Sequence, residues 1–422
     1  MFGIVTTAVR PRAATMNRNW ILGGVLVLLG ALVIWLFGLG VSGDTISTFR
    51  FSGGGDPVQL PEVPISTMAA NIIIGLAMLV IGGYQVTRGF KRINVLLGIE
   101  FLLLLIAFLV WSIRGASLNL TGLLQSTLLR AVPFLLGALG GVMCERSGVI
   151  NIAIEGQMLI AAFVSVIVTN LAHGNLWLGL ACGLTSGALV GAVLAVLSIE
   201  YKVDQIISGT VINIFATGFT NYFNLRVLQV NTNLNDSYTF SPVSIPVLSD
   251  IPVIGPILFQ QNILVYAAII LMFVVQFVLF YTRWGLRTRA VGEHPRAADT
   301  LGVNVYRIRY INVIIGGVLA ALAGCFLTLG SVGRFDKLMS NGRGFIALAA
   351  MIFGNWTPVG AFISSLIFGF ADSLQLKLQI LTSVIPSDFL LMAPYLATMI
   401  VLAGVVGRAV APVADGKPYE KQ

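Results

Sequence analysis

The stretch WILGGVLVLLGALVIWLFGLGVS, residues 20–42, contains no charged side chain. A helix needs about 20 apolar residues to cross the hydrocarbon layer of a membrane, so this stretch is long enough to span it. The whole chain is 57% hydrophobic and only 10% charged, whereas soluble domains have roughly 25% charged residues. Long apolar runs without alternation exclude a β-barrel. The sequence therefore predicts an all-α, polytopic helical membrane protein.

The same kind of apolar run recurs along the chain and predicts about 10–11 transmembrane spans. The runs fall at 20–42, 65–86, 95–113, 122–143, 149–171, 176–198, 205–225, 261–282, 310–330, 343–376 and 388–408. We divide the chain into N-terminal spans with an acidic external loop (1–120), a core (121–408) and a C-terminal tail (409–422).

The loops differ in charge, and the positive-inside rule converts this difference into sides of the membrane. Arginines precede the first run, which predicts a cytoplasmic N-terminus. Residues 227–260 contain no Lys or Arg and are predicted to be external, whereas residues 283–309 carry six arginines against Glu293 and Asp299. This last loop is predicted to be cytoplasmic. We interpret the net charge of +8 as a signal of topology rather than of nucleic-acid binding.

Two regions do not fit a simple count of spans. Residues 122–171 contain Pro133 and a polar break at 144–148, and residues 343–376 are interrupted at 354–358. The second region is too long for one crossing and too short for two, which favours a re-entrant piece plus one crossing. Interrupted helices in both halves of a transporter indicate a site near the midplane. Two ordinary kinked hairpins are the alternative. Eleven crossings would place the C-terminus outside, although its basic residues favour the inside.

Polar side chains in the fifth run are candidates for a ligand site. Ser147, Asn151 and Glu155 recur every four residues, which predicts that they share one helix face. A carboxylate at membrane depth is costly, so Glu155 is either functional or paired, for example with Arg146. Asn151 and Gln157 are candidates for hydrogen bonds to a ligand, with the same alternative.

The seventh run carries a polar stripe with spacings of three and four residues. Its members are Thr210, Asn213, Thr217, Thr220 and Asn224. Such a stripe lines a passage or hydrogen-bonds to neighbouring helices. Five members in register favour the passage, and Phe223 beside them offers a ring for stacking. The glycines at 179, 183, 187 and 191 in the sixth run predict a packing face without a ligand role.

The basic loop contains a short predicted helix at about 295–301. Pro295 suits a first helical turn and Gly302 suits the residue after the end. No phosphate loop, no HExxH motif and no metal-ligand spacing occurs, so we predict no catalytic and no metal-binding residues. A stand-alone transporter driven by an ion gradient, with Glu155 and Asp372 as ion sites, stays open as an alternative.

Three segments carry a resemblance to a known family. They are ERSGVINIAIEGQM at 145–158, residues 289–303, and GRGFIALAAMIFGNW at 342–356. Together they resemble the permease subunits of binding-protein-dependent ABC importers for branched-chain amino acids, ribose and nucleosides. Within that family the three segments are most similar to those of the nucleoside-type permeases. A sugar or a branched-chain amino acid is the alternative cargo.

The resemblance implies partners and roles that the residues alone do not give. Residues 295–301 would be the coupling helix that docks on a cytoplasmic ATPase, which carries the ATP and Mg²⁺, so this chain has no cofactor and is not an enzyme. The matching positions are Glu293, Pro295, Arg296, Ala297, Ala298 and Gly302. Asn151, Glu155 and Gln157 would lie near the translocation pathway. The resemblance also implies a cell membrane location, membrane lipid around the spans, an extracytoplasmic substrate-binding protein, and a second permease subunit, with a heterodimer favoured.

Overall fold

The computed structural model describes residues 18–53, 58–381, 392 and 410–421. The predicted run at 388–408 lies, apart from Met392, outside the described residues. The chain divides into two compact units. The first holds the described residues of Met1–Phe51 and Leu60–Asn119, and the second holds those of Ser52–Gln59 and Leu120–Gln422.

The first unit contains three long helices and a small sheet. Its helices are α1 (Arg18–Leu32), which continues as a π-helix over Val33–Leu39, α2 (Thr67–Thr87) and α3 (Ile93–Ser112). Its strands are β1 (Ile46–Arg50), β2 (Val63–Ser66) and β3 (Ser117–Asn119). β1 pairs with β2 in antiparallel and with β3 in parallel orientation. β1 and β2 lie in the connection between α1 and α2, and β3 follows α3.

The second unit is a bundle built around two largely buried helices. Its helices are α4 (Leu120–Glu145), α5 (Ile154–Leu171), α6 (Leu176–Ala195), α7 (Gln205–Phe223), α8 (Ile263–Tyr281), α9 (Arg283–Glu293), α10 (Pro295–Thr300), α11 (Val305–Leu327), α12 (Arg343–Phe353) and α13 (Pro358–Leu381). α4 packs against α11, α12 and α13, and α11 also packs against α5 and α6. A short hairpin of β4 (Pro242–Ser244) and β5 (Gln260–Asn262) precedes α8.

The predicted fold class is confirmed. In the part of the chain that the structure describes, 9 helices are long and apolar enough to cross a membrane. Their outward surfaces expose large apolar side chains, as in α8, where Phe273 and Phe277 are about 60% exposed. Such a surface suits lipid rather than water. α7 is not among the 9, because the polar stripe lowers its mean hydropathy.

The interrupted region at 343–376 is divided as the sequence predicts. α12 has 11 residues and α13 has 24, so only α13 is long enough to cross at 1.5 Å per residue. The turn between them includes Asn355 and Trp356, both with positive φ. In the other region, α4 and α5 are both of spanning length, and the break between them is a non-helical segment at 146–153.

The glycine stripe of α6 is a packing face, as predicted. A methyl group on Gly187 would lie 2.2 Å from the Cβ atom of Ala321 and 2.7 Å from the carbonyl oxygen of Gly317. A methyl group on Gly183 would lie 2.4 Å from the Sγ atom of Cys325, which belongs to α11 as Ala321 does. The absence of side chains on α6 therefore lets the backbones of α6 and α11 approach each other closely.

Candidate functional site

Glu155 joins the two interrupted regions of the second unit. It lies in the first turn of α5 and is 9% exposed. One carboxylate oxygen accepts a hydrogen bond from the backbone N–H of Gly342 at 2.8 Å, and the other accepts from Gly344 at 2.6 Å. The first N–H groups of a helix have no partner within the helix and carry a partial positive charge. The Glu155 carboxylate thus caps the short helix α12.

The two glycines make this contact possible. Gly342 has a φ of +78°, which L side chains rarely adopt, so the chain can turn into α12 there. A Cβ atom on Gly344 would lie 2.6 Å from both the Cα and the backbone nitrogen of Glu155. Only glycine therefore allows the start of α12 to approach the start of α5.

The prediction that Ser147, Asn151 and Glu155 share one helix face is wrong. Gly148 has a φ of +84° just after α4 ends, and residues 149–153 are not helical. A regular spacing in sequence predicts a common face only where the backbone is continuous helix, and here a left-handed glycine interrupts it.

Arg146, which we named as an example of a partner for Glu155, bonds elsewhere. The Arg146 guanidinium donates hydrogen bonds to the carbonyl oxygens of Trp356 at 2.8 Å and Asn355 at 3.1 Å. These carbonyls lie in the turn after α12. Arg146 and Glu155 therefore hold opposite ends of the same short helix, one at each terminus.

Asn151 and Gln157 lie together and are fully buried. The Asn151 side-chain amide donates to the Gln157 side-chain oxygen at 3.1 Å. Asn151 Oδ1 and Gln157 Nε2 have no hydrogen-bond partner among the described residues. Buried polar atoms in proteins are nearly always satisfied. Each of these two bonded amides thus keeps one polar atom without a partner in the core.

Asn213 connects α7 to the start of α5. Its side-chain amide donates to the Ile152 carbonyl oxygen at 2.8 Å, and its oxygen accepts from the Gly156 N–H at 2.8 Å. Both ends of the amide are used on backbone groups. This contact corresponds to the inter-helix alternative, and it brings Asn213 next to Asn151, Glu155 and Gln157.

The rest of the stripe follows the edge of the buried face of α7. Thr220 and Asn224 are buried, Thr217 is half-buried and Thr210 is exposed. Thr210 and Thr220 donate to carbonyl oxygens of their own helix. Phe223 packs against the rings of Phe163, Phe219 and Tyr222.

A cavity of about 280 Å³ lies between α4, the end of α11 and the start of α12. Its polar lining comes from Ser126, Arg130, Ser331 and Arg343. Arg130 forms an ion pair with Asp372 of α13 at 2.8 Å. These four lining residues are absent from our sequence-based candidates. The detectable signal was the placement of Arg130 and Asp372 inside long apolar runs.

The basic loop contains two helices instead of one. α9 occupies 283–293, which the sequence analysis missed, and α10 begins at Pro295 as predicted. Gly302 follows α10 with a φ of +80°. Ala298 is buried, whereas Arg296 and Ala297 are exposed. Leu301 is 85% exposed at the tip of the loop.

Comparison with known proteins identifies a family and several relatives. Residues 123–406 match the model of a family described as "Branched-chain amino acid transport system / permease component". The guanosine ABC transporter permease protein NupQ of Bacillus subtilis is 43% identical over 311 residues, 71% of this chain and 96% of that protein. The nucleoside ABC transporter permease protein NupC of Lactococcus lactis is 41% identical over 307 residues, with the same coverage. The putative glucose ABC transporter permease protein TsgC13 of Haloferax volcanii is 38% identical over 261 residues, 62% of this chain and 79% of that protein. No solved structure matches.

Proposed function

Since the chain belongs to the family of branched-chain amino acid transport system permease components, we propose that it is the permease subunit of an ATP-driven importer for nucleosides. The observation that carries the proposal is the similarity, over 96% of each relative, to permeases named for guanosine and for nucleosides. The relative named as a putative glucose permease, at 38% identity, makes sugars the second candidate.

In this proposal the energy comes from a partner. α10 is the coupling helix, and Leu301 and Ala297 contact a cytoplasmic ATPase that binds ATP and Mg²⁺. The loop of α9 and α10 then lies in the cytoplasm, and so does the N-terminus, by the charge of its arginines. A substrate-binding protein delivers the nucleoside on the other side of the cell membrane. A second, different permease subunit completes the pathway.

The cavity between α4, α11 and α12 is our candidate for the cargo passage. Its volume of about 280 Å³ is near the lower end of the roughly 300–1,000 Å³ of small-molecule sites. Arg130 and Arg343 offer planar guanidinium groups, which donate hydrogen bonds to hydroxyl and base oxygens and stack on aromatic rings. The cavity adjoins the start of α12, the helix that Glu155 caps. Movement of α12 would thus change the cavity.

The polar residues of α5 and α7 are the supporting part of this proposed pathway. Asn151 and Gln157 have a free acceptor and a free donor, the complementary pair that a base edge requires. Thr217, Thr220 and Phe223 lie further along α7 than Asn213, which contacts the start of α5, and Asn224 directly follows α7. Alternating access would open the pathway to one side at a time, and cargo shifts this equilibrium only by its differential affinity for the two states.

Uptake of radiolabelled guanosine by membrane vesicles tests the function. With the chain, its ATPase and its partner permease present, we expect uptake that requires ATP, is insensitive to a protonophore, and is reduced by unlabelled nucleosides but not by glucose or leucine. Competition by glucose alone would assign a sugar cargo. Uptake that follows a proton gradient without ATP would contradict the proposal and favour the stand-alone transporter.

Substitution at the cavity mouth tests the passage. Ser331 lines the cavity and is exposed, so Ser331→Trp should obstruct the opening at little cost to folding. We expect ATP-dependent guanosine uptake to fall about tenfold, since a displaced or blocked positioning site typically costs a factor of this order or more. Val332→Trp, at a neighbouring position that is 50% exposed and outside the cavity lining, should leave uptake unchanged. Equal uptake by the two variants would exclude this cavity as the passage.

A further inference from the structure

The C-terminal segment 410–421 lies against the end of α9. The backbone N–H of Ala414 donates to the carbonyl oxygen of Gly292 at 2.9 Å. The next contact is from the N–H of Val413 to a carboxylate oxygen of Glu293 at 3.3 Å. Both acceptors belong to the last two residues of α9, just ahead of α10. The segment is therefore attached to the coupling region by its backbone and not by side-chain charge alone.

Tyr419 anchors the other end of the segment. It is 6% exposed, and its ring lies 5.5 Å from the ring of Tyr306. Burial and a hydrogen bond with the Asp299 carboxylate of α10 raise the pKa of Tyr419 to about 12. Lys202 pairs with Glu420 at 2.6 Å. The apolar side chains packed with Tyr419 are Val291, Ala298, Val305 and Ile308.

A groove of about 630 Å³ is lined by residues of both the segment and α10. One wall is formed by α10 and the residues just before it, and includes Pro295 and Ala297. The other wall is formed by the C-terminal segment and includes Val413 and Pro418. Charged side chains from both walls also line the groove. Apolar walls bordered by charged groups are typical of protein interfaces. Val413 is 53% exposed, although it is apolar and sits between two buried neighbours.

We propose that this groove receives the ATPase and that the C-terminal segment is its second wall, so that the coupling helix alone is only half of the docking surface. The proposal rests on the function proposed above. The occupant is an apolar side chain or helix edge on an acidic surface of the ATPase. The acidic character follows from the exposed arginines of residues 283–309, which are Arg283, Arg287, Arg296 and Arg307. The groove is continuous with α10, so one partner covers both.

A pair of valines provides the test. Val413 lines the groove, whereas Val410, three residues earlier and 70% exposed, does not. The tagged chain is purified with its ATPase from membranes, and the ATPase is quantified by photolabelling with azido-ATP. We expect Val413→Asp to lower the retained ATPase about tenfold, as for a buried interface position, and Val410→Asp to leave it unchanged. Retention equal to wild type in Val413→Asp would overturn the proposal.

A cross-link covers the case in which Val413→Asp fails to fold. A benzophenone maleimide on Val413→Cys, in a Cys182→Ala background, should give an adduct that azido-ATP also labels, and Val410→Cys should not. An adduct of two copies of this chain without azido-ATP label would overturn the proposal and assign the groove to a chain–chain interface.

A substitution on the α10 side distinguishes a failure of this inference from a failure of the proposed function. Leu301→Asp, on the α10 side, should also release the ATPase. Release by Leu301→Asp with full retention by Val413→Asp refutes only the role of the C-terminal segment. A wild-type chain that retains no azido-ATP-labelled subunit refutes the proposed function together with it.

Discussion

Replacing Glu155 by alanine is expected to abolish uptake and to release the start of α12. The carboxylate accepts two backbone hydrogen bonds, and hydrogen bonds to charged groups contribute about 1.5–3 kcal/mol each, so the loss is about 3–6 kcal/mol. Both N–H groups lose their acceptor, and that of Gly344 is left buried. Guanosine uptake by vesicles measures the functional effect, and hydrogen exchange of residues 342–346 measures the release.

Glu155→Gln distinguishes capping from a simple need for bulk. An amide has one acceptor oxygen, whereas the site requires two, so its NH₂ group would face a backbone N–H. We therefore expect Glu155→Gln to be defective, though less than the alanine variant. Glu200→Gln is the control, because Glu200 is exposed. Normal uptake and unchanged exchange in Glu155→Ala would show that α12 does not depend on this carboxylate.

Gly187→Leu is expected to lower the thermal stability of the second unit. Even a methyl group at this position would lie 2.2 Å from Ala321 and 2.7 Å from the Gly317 carbonyl oxygen, so α6 and α11 must separate. Overpacking costs about 1–3 kcal/mol or more. At about 2–4 °C per kcal/mol, a cost of about 3 kcal/mol lowers the Tm by roughly 6–12 °C. Thermal unfolding of the purified protein in detergent measures the shift.

Gly218→Leu is the matched control for this experiment. A Cβ atom at Gly218, on the exposed side of α7, would meet no atom within 4 Å. The two variants introduce the same side chain into the same kind of helix. A similar Tm for both would mean that the close approach of α6 and α11 does not limit stability.

Periodicity, composition and local residue preferences were enough to predict the fold class, the packing face of α6 and the start of α10. Apolar runs identify spanning helices because lipid imposes a minimum length on any helix that crosses it. The glycine spacing of α6 predicted a packing face because residues four apart share one side of a continuous helix. Pro295 and Gly302 bound α10 because their backbone preferences are local.

The same reasoning failed where the helix was not continuous. Spacing placed Ser147, Asn151 and Glu155 on one face, but the left-handed Gly148 removes the helix between them. α9 was missed because long apolar runs indicate only spanning helices, whereas α9 is polar and has 11 residues. The contact between Asn213 and the start of α5 also has no local signal, since 61 residues separate Asn213 from Ile152.

The sequence by itself therefore determined that this protein is a multi-pass helical membrane protein, and its motifs determined the resemblance to ABC importer permeases. Tertiary structure alone decided what Glu155 does. Its partners lie 187 and 189 residues further along the chain, and no local pattern specifies which backbone N–H groups a buried carboxylate meets. The cavity has the same origin, because its arginines and serines come from three helices that only packing brings together. Length and hydropathy are local properties of a segment, whereas a site is a property of the contacts between segments.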